Sequence, residues 1–192
     1  PHRPRMQRSF FSEYTPIRQE LRRLDRAGEL SGDAAWLLEK STPAEELYDI
    51  REDYLEMKNL ADKSEHKDRL LSMHKQLIEW MKRTRDLSLL HENDMIERAN
   101  GQMPFDFAHD DAVYPLEDIL QVADMVGRGD VFRPQLRDAL SHTDPAIRYW
   151  AATGLAALNV AALPAKTELQ AALKDDKSWV RFATAEACCY VG

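Results

Sequence analysis

The stretch Leu136-Arg137-Asp138-Ala139-Leu140-Ser141-His142-Thr143-Asp144-Pro145-Ala146-Ile147-Arg148 returns, altered but legible, as Leu169-Gln170-Ala171-Ala172-Leu173-Lys174-Asp175-Asp176-Lys177-Ser178-Trp179-Val180-Arg181. Leu136 answers to Leu169, Leu140 to Leu173, Ile147 to Val180, Arg148 to Arg181 and Ala152 to Ala185, each 33 residues on. Both units read as a helix, a short acidic turn and a second helix that opens on a hydrophobic-Arg pair. One amphipathic helix pair cannot cover its own apolar face, so such pairs stack into a solenoid. Arg148 and Arg181 hold equivalent places, where a guanidinium bonds Asp or backbone carbonyls of a neighbouring turn. Tyr149, Trp150 and Trp179 are expected to pack between units, and Leu116, Ile119, Leu120 and Val122 belong to a degenerate first unit.

Working outward, this array resembles HEAT-like repeats of the short kind and is expected to run from Pro115 to Gly192, where its last unit is truncated. A protein partner for the repeats is the expectation that follows from the resemblance. Upstream the composition changes. Thr15-Pro16 suits a helix start, Ile17, Leu21 and Leu24 recur at helical spacing, and Gly28 stops the run. Ser31 is the expected cap of a second short helix bearing Trp36. From Ser64 to Arg85 the pattern predicts the longest helix, with Leu70, Met73, Leu77 and Met81 as its stripe and His74, Ile78 and Trp80 beside it. Residues 86–114 are expected to pack rather than to float, because Met103, Phe105 and Phe107 are too apolar for a free linker. His91 to Asn100 reads as a helix with Met95, Ile96 and Ala99 inward.

Glu46-Leu47-Tyr48-Asp49-Ile50 alternates polar and apolar, which predicts a short strand, followed by the charged connection Arg51 to Lys58 and then Asn59-Leu60-Ala61. A lone strand needs partners. With Pro43-Ala44 before it, this segment resembles the "PAEELYDL…DP.E..NLA" run near the C-terminus of type I sulfatases. Leu77-Ile78-Glu79-Trp80 followed by Thr84-Arg85-Asp86 is similar to the "L..W...T.D" ending of heparan N-sulfatase (sulfamidase)-like members, and Pro1-His2-Arg3-Pro4 to the "MPHRP" run of a bacterial subgroup. The resemblance covers about Pro1 to Leu90 and, more loosely, Tyr114. It implies a mainly α chain with a small β element: residues 1–114 as the C-terminal portion of a sulfatase domain (α+β, with an incomplete sheet), and 115–192 as the repeat region.

The resemblance further implies hydrolysis of a sulfate ester or sulfamate by a formylglycine made from Cys or Ser in C/S-x-P-x-R, with calcium held by Asp and Asn. Neither is found in this sequence. Ser41-Thr42-Pro43-Ala44-Glu45 has the Ser and Pro but carries Glu45 where the Arg belongs, and Cys188-Cys189-Tyr190 does not fit. Glu52-Asp53 and Asp110-Asp111 are adjacent pairs that read as solvated turns. Nucleophile and calcium site are therefore expected upstream, in a longer protein that is periplasmic or secreted, with a sulfated carbohydrate or other sulfate ester as substrate. The isolated chain is expected to be inactive. The other class of reading is a non-enzymatic helical-repeat interaction scaffold.

His2 and Arg3 are the candidate substrate-binding residues, since a planar guanidinium suits an oxyanion; the competing reading is that they only cap a strand or pair with a carboxylate. Trp80 reads either as a sugar platform or as an edge aromatic. His74 reads as a satisfied core histidine, and His66, His91, His109 and His142 show no metal-ligand spacing.

Composition narrows the classes. Of the 192 residues, 44% are hydrophobic and 31% charged, enough for a real core. Net charge is −7, yet residues 1–27 carry seven Arg against Glu13, Glu20 and Asp25, leaving an acidic bulk that argues against nucleic-acid binding. Arg18, Arg22 and Arg26 read as a solvated helix face. The two cysteines are adjacent and imply no disulfide framework, and no apolar run approaches the ~18–20 residues of a membrane span.

Overall fold

The computed structural model describes Arg5, Met6 and residues 9–39 and 41–192, and these fall into two compact units that divide after Asp62. The first unit holds α1 (Phe10–Glu13), α2 (Pro16–Ala27) and α3 (Asp33–Trp36). Pro16 sits at the first position of α2, but the Thr15 hydroxyl donates to the Ser12 carbonyl (2.7 Å) instead of capping the helix. Gly28 ends α2 at φ 69°, a left-handed conformation that lets the Gly28 and Glu29 N–H groups return to Asp25 and Leu24. Arg18 and Arg22 both reach Glu13, so they brace α1 on α2 rather than line a solvated face. The next helix is a single turn that begins after Gly32, not at Ser31.

Residues 46–50 form no strand, and none occurs among the described residues. The segment is held differently. The Leu47 N–H donates to the Asn59 side-chain oxygen (2.9 Å), the Leu60 N–H donates to the Leu47 carbonyl (2.7 Å), and the Ala61 N–H shares the same Asn59 oxygen (3.0 Å). Alternation gave the expectation of a strand, but one backbone bond and one amide do not make a ladder. The small β element is thus absent here, while Leu47 is buried as that pattern requires.

The second unit begins at Lys63 and contains α4 (Lys67–Thr84), α5 (Glu92–Ala99), α6 (Pro104–Ala108), α7 (Leu116–Ala123), α8 (Arg133–Ala139), α9 (Pro145–Leu158), α10 (Lys166–Ala172) and α11 (Ser178–Val191). A 3-10 turn at Ser64–His66 leads into α4, and no side chain caps it. Ile78 and Met81 face the core, whereas Met73, Leu77 and Trp80 are about half exposed. The stripe expected to be one buried row is therefore two rows, one inward and one outward.

Every boundary of α10 and α11 falls 33 residues after its counterpart in α8 and α9. Leu136 and Leu169 are fully buried, as are Ile147 and Val180, so the sequence repeat is also a repeat of packing. One core cluster joins α8 to α11 through Leu136, Leu155, Leu169 and Ala187. A second joins α7 and α9 to Leu89, Leu90, Phe107 and Tyr114. Residues 86–114 are thus packed onto the array, but through Phe107 alone of the three apolar residues singled out: Met103 is 69% and Phe105 72% exposed. In α5, Met95 and Ala99 turn inward and Ile96 does not.

Candidate functional site

Three groups of residues bear chemistry, and each follows from local structure. The first lies in the smaller unit. Arg5 spreads its guanidinium over the Trp36 ring, 3.7 Å from the centroid, and forks onto both carboxylate oxygens of Glu46. The bond from Arg5 holds the Glu46 carboxyl below its ordinary value against the opposing effect of burial, and the same bond raises the Arg5 guanidinium. Glu46 belongs to the Glu-Leu-Tyr-Asp segment, so the clamp ties one of the stretches that carry the family resemblance to Arg5. His2 and Arg3 lie outside the described residues.

Asn59 was legible as part of a signature but not as a mechanism: its amide oxygen staples Leu47 to Ala61. Asp49 and Asp53 work similarly, Asp49 gathering the turn N–H groups of Glu52 and Asp53 on its carbonyl, and Asp53 accepting from the Lys58 N–H (2.6 Å). The signature residues of this segment therefore build the loop itself.

The second group is a cleft of about 370 Å³ between the end of α4 and α6, lined by Trp80, Thr84, Arg85, Asp86, Phe105 and His109 among others. Arg85 ends α4 at φ 53°, and its side chain turns inward to bond the carbonyls of Ala108 and Tyr114 and the carboxylate of Asp111 (2.8 Å). Those bonds commit it to structure. His109 Nδ1 donates to the Phe105 carbonyl (2.8 Å), and the two rings meet at 4.3 Å.

The third group is a ladder of arginines. Arg98 lies between Asp94 and Asp144, donating to both and to the Val113 carbonyl. Burial raises the Asp94 carboxyl even with Arg98 attached; for Arg98 burial opposes the charge, and the bonds to Asp144 and Asp94 outweigh it. Arg148 repeats the device one layer on, with Asp175 and Asp176. Arg148 also donates to the carbonyls of His142 and Thr143, and Arg181 donates to those of Asp175 and Asp176, 33 residues later. The ladder satisfies turns and joins layers, as expected for Arg148 and Arg181; Arg98 carries no repeat signal and is found only in the fold.

Three of the described histidines, His74, His91 and His142, hold structural places. His74 meets Asp124 and Arg128 between α4 and α7, His91 Nδ1 caps α5 by accepting from the Asn93 N–H, and His142 Nδ1 accepts from the Asp144 N–H. Among the described residues no three His, Cys, Asp or Glu side chains gather in a way that could hold a metal ion. None of the described helices is long and apolar enough to cross a membrane.

The chain is similar to a curated protein named as an ulvan-active sulfatase, from Formosa agariphila, with 33% identity over 88 residues. That alignment takes in 46% of this chain and only 15% of the sulfatase. No family model matches the chain. No solved structure matches it either. The comparison points to a sulfatase-related region in the chain.

Proposed function

We propose that this chain is the C-terminal part of a formylglycine-dependent sulfatase, extended by HEAT-like helical repeats. The observation that carries the reading is the 33% identity to a sulfatase over 88 residues. The fate of the signature residues supports it: Glu46, Asp49 and Asn59 each hold a backbone or side-chain partner in one loop. On this reading the calcium and the formylglycine nucleophile both belong to the upstream part of the protein. Residues 1–114 supply a buttress to the catalytic body, and His2 and Arg3 contribute to binding the sulfate. The substrate class is a sulfated carbohydrate, an ester in preference to a sulfamate given the matched relative, and the setting is periplasmic or secreted. The repeats of 115–192 offer a surface to a protein partner.

The coding sequence upstream of Pro1 tests the proposal first. A C/S-x-P-x-R motif some hundreds of residues earlier in the same reading frame is the expected result. Its absence from the full reading frame would discard the sulfatase and leave a helical scaffold. The full-length product should release sulfate from an aryl sulfate, and the 192-residue chain alone should release none.

A further inference from the structure

We infer that the cleft between the end of α4 and α6 is a binding subsite for an uncharged pyranose unit of a glycan chain. Two large aromatic rings are open to solvent at one cavity, Trp80 at 46% and Phe105 at 72% exposure. Two exposed rings at one concavity offer a flat apolar surface, and a flat ring face is what the C–H face of a pyranose stacks on. The cavity, about 370 Å³, falls within the ~300–1,000 Å³ of small-molecule sites.

The polar lining decides what kind of sugar fits. His109, which lines the cleft, gives its Nδ1 proton to the Phe105 carbonyl, and in that tautomer its Nε2 is a hydrogen-bond acceptor. Thr84 donates its hydroxyl hydrogen to the Trp80 carbonyl (2.9 Å), so its lone pairs remain to accept. Asp86 spends Oδ1 on the Ser88 N–H (2.9 Å) and is an acceptor at its other oxygen. The lining arginine, Arg85, is tied to Ala108, Tyr114 and Asp111. The cleft thus presents acceptors and no uncommitted guanidinium. Acceptors match hydroxyl donors, and a carboxylate beside the rings repels a sulfate or uronate. An unsulfated sugar is the complementary ligand, while the anionic group of a mixed chain would lie elsewhere.

Choosing a carbohydrate over another flat ligand rests on the proposed function; the cleft itself stands on geometry. The two are separable, because the upstream motif tests the enzyme and binding by the 192-residue chain tests the cleft. The chain is titrated, with tryptophan fluorescence and amide NMR as readouts, against cellobiose, xylobiose and a sulfated heparin disaccharide. A neutral disaccharide should bind with a dissociation constant on the order of 1 mM, the scale of a single shallow subsite, and shift the signals of Trp80, Phe105 and His109. Trp80→Ala and Phe105→Ala should each weaken it about tenfold. Both side chains are exposed, so the circular dichroism spectrum of each variant should match that of the parent chain. Binding that survives both substitutions, preference for the sulfated disaccharide, or no response to any of the three would overturn the proposal.

Discussion

The two helix pairs α8–α9 and α10–α11 share a sequence pattern, the same boundaries and the same inward residues, and differ in what lies on their far side. The first is flanked by α7 and by α11; among the described residues the second has a neighbour on one side. Ala152 is buried and Ala185, its counterpart, is exposed. Leu140 is 6% exposed and Leu173 39%, and Phe182 stands out at 73%. Arg148 reaches the Asp175 and Asp176 carboxylates of the next unit, while Arg181, among the described residues, bonds the two carbonyls of its own turn. A repeat sequence thus specifies the fold of each unit, whereas neighbours decide how much each residue contributes.

The largest effect that would break this comparison is a charge in the shared seam. Ile147 is almost fully buried against α7 and its neighbours. Ile147→Asp should unfold the second unit, because an unpaired buried carboxylate costs several kcal/mol, much of a domain's ~5–15 kcal/mol stability. Phe182→Asp, on the open side, should change stability by no more than about 0.5 kcal/mol. Thermal melts followed at 222 nm check both, and equal losses would mean that the far side of α11 is covered in solution.

Next in size is a truncation at matched positions. Leu140→Ala should cost about 2–5 kcal/mol, the usual range for a buried leucine. Leu173→Ala should cost clearly less, since part of that side chain is already in water. Urea midpoints at unchanged slope are the measurement. A larger loss at Leu173 would reverse the ranking of the two units.

What the amino-acid sequence makes legible follows the same division. The repeat, its 33-residue period and the inward Leu136, Ile147, Leu169 and Val180 are readable because burial in a stacked helix forces a fixed apolar period. The strand expected at 46–50 does not form because alternation records which side chains turn inward, and does not record whether a backbone partner exists. Trp80 keeps two readings because a helix stripe does not say which of its rows meets a neighbour. The tertiary roles of Arg98 and Arg85 give no signal in the sequence, since Asp144 and the carbonyls of 108 and 114 are far away along the chain; the Asp94–Arg98 spacing shows only a local helix pair.

The ladder sharpens the comparison through pH. Burial opposes ionisation of Asp175, but the Arg148 bonds and the Lys177 N–H overcome it and hold the carboxyl below its ordinary value. Its folded value lies under its unfolded value of about 3.9. The stability it contributes is therefore present above that value and lost as pH falls through the folded one. Asp94, raised by burial, has the opposite sign: its contribution is present in acid, below about 3.9, and lost as pH rises through its raised value. Asp175→Asn should lower stability at pH 7 by about 1–2 kcal/mol and flatten the acid loss. Asp94→Asn should make the acid loss steeper. Arg148→Ala should cost about 2 kcal/mol, and Arg181→Ala roughly half that, because it loses no carboxylate partner. Chemical denaturation at a series of pH values separates the four variants.

The smallest effect concerns how closely the helices approach within a pair. A Cβ added at Gly154 would fall 2.6 Å from Leu136 Cδ2 and 2.9 Å from Cδ1, inside contact distance. The counterpart of Gly154 in the second pair is Ala187, fully buried near Leu169, so that pair already accommodates a methyl group. Gly154→Ala has two opposed consequences. Alanine favours the helix over glycine by about 1 kcal/mol. Overpacking costs about 1–3 kcal/mol when a buried neighbour must leave its rotamer, and Leu136 has no solvent side into which to turn. The sum should be a loss of about 1 kcal/mol. The reciprocal change, Ala187→Gly, should also destabilise by about 1 kcal/mol, through lost helix propensity and a small void. Combining Gly154→Ala with Leu136→Val should recover part of the first loss, because the shorter side chain makes room, and the double-mutant cycle measures that coupling directly. A Gly154→Ala variant more stable than the parent, with no coupling to position 136, would show that α8 and α9 move apart freely and that the two pairs do not differ in helix spacing.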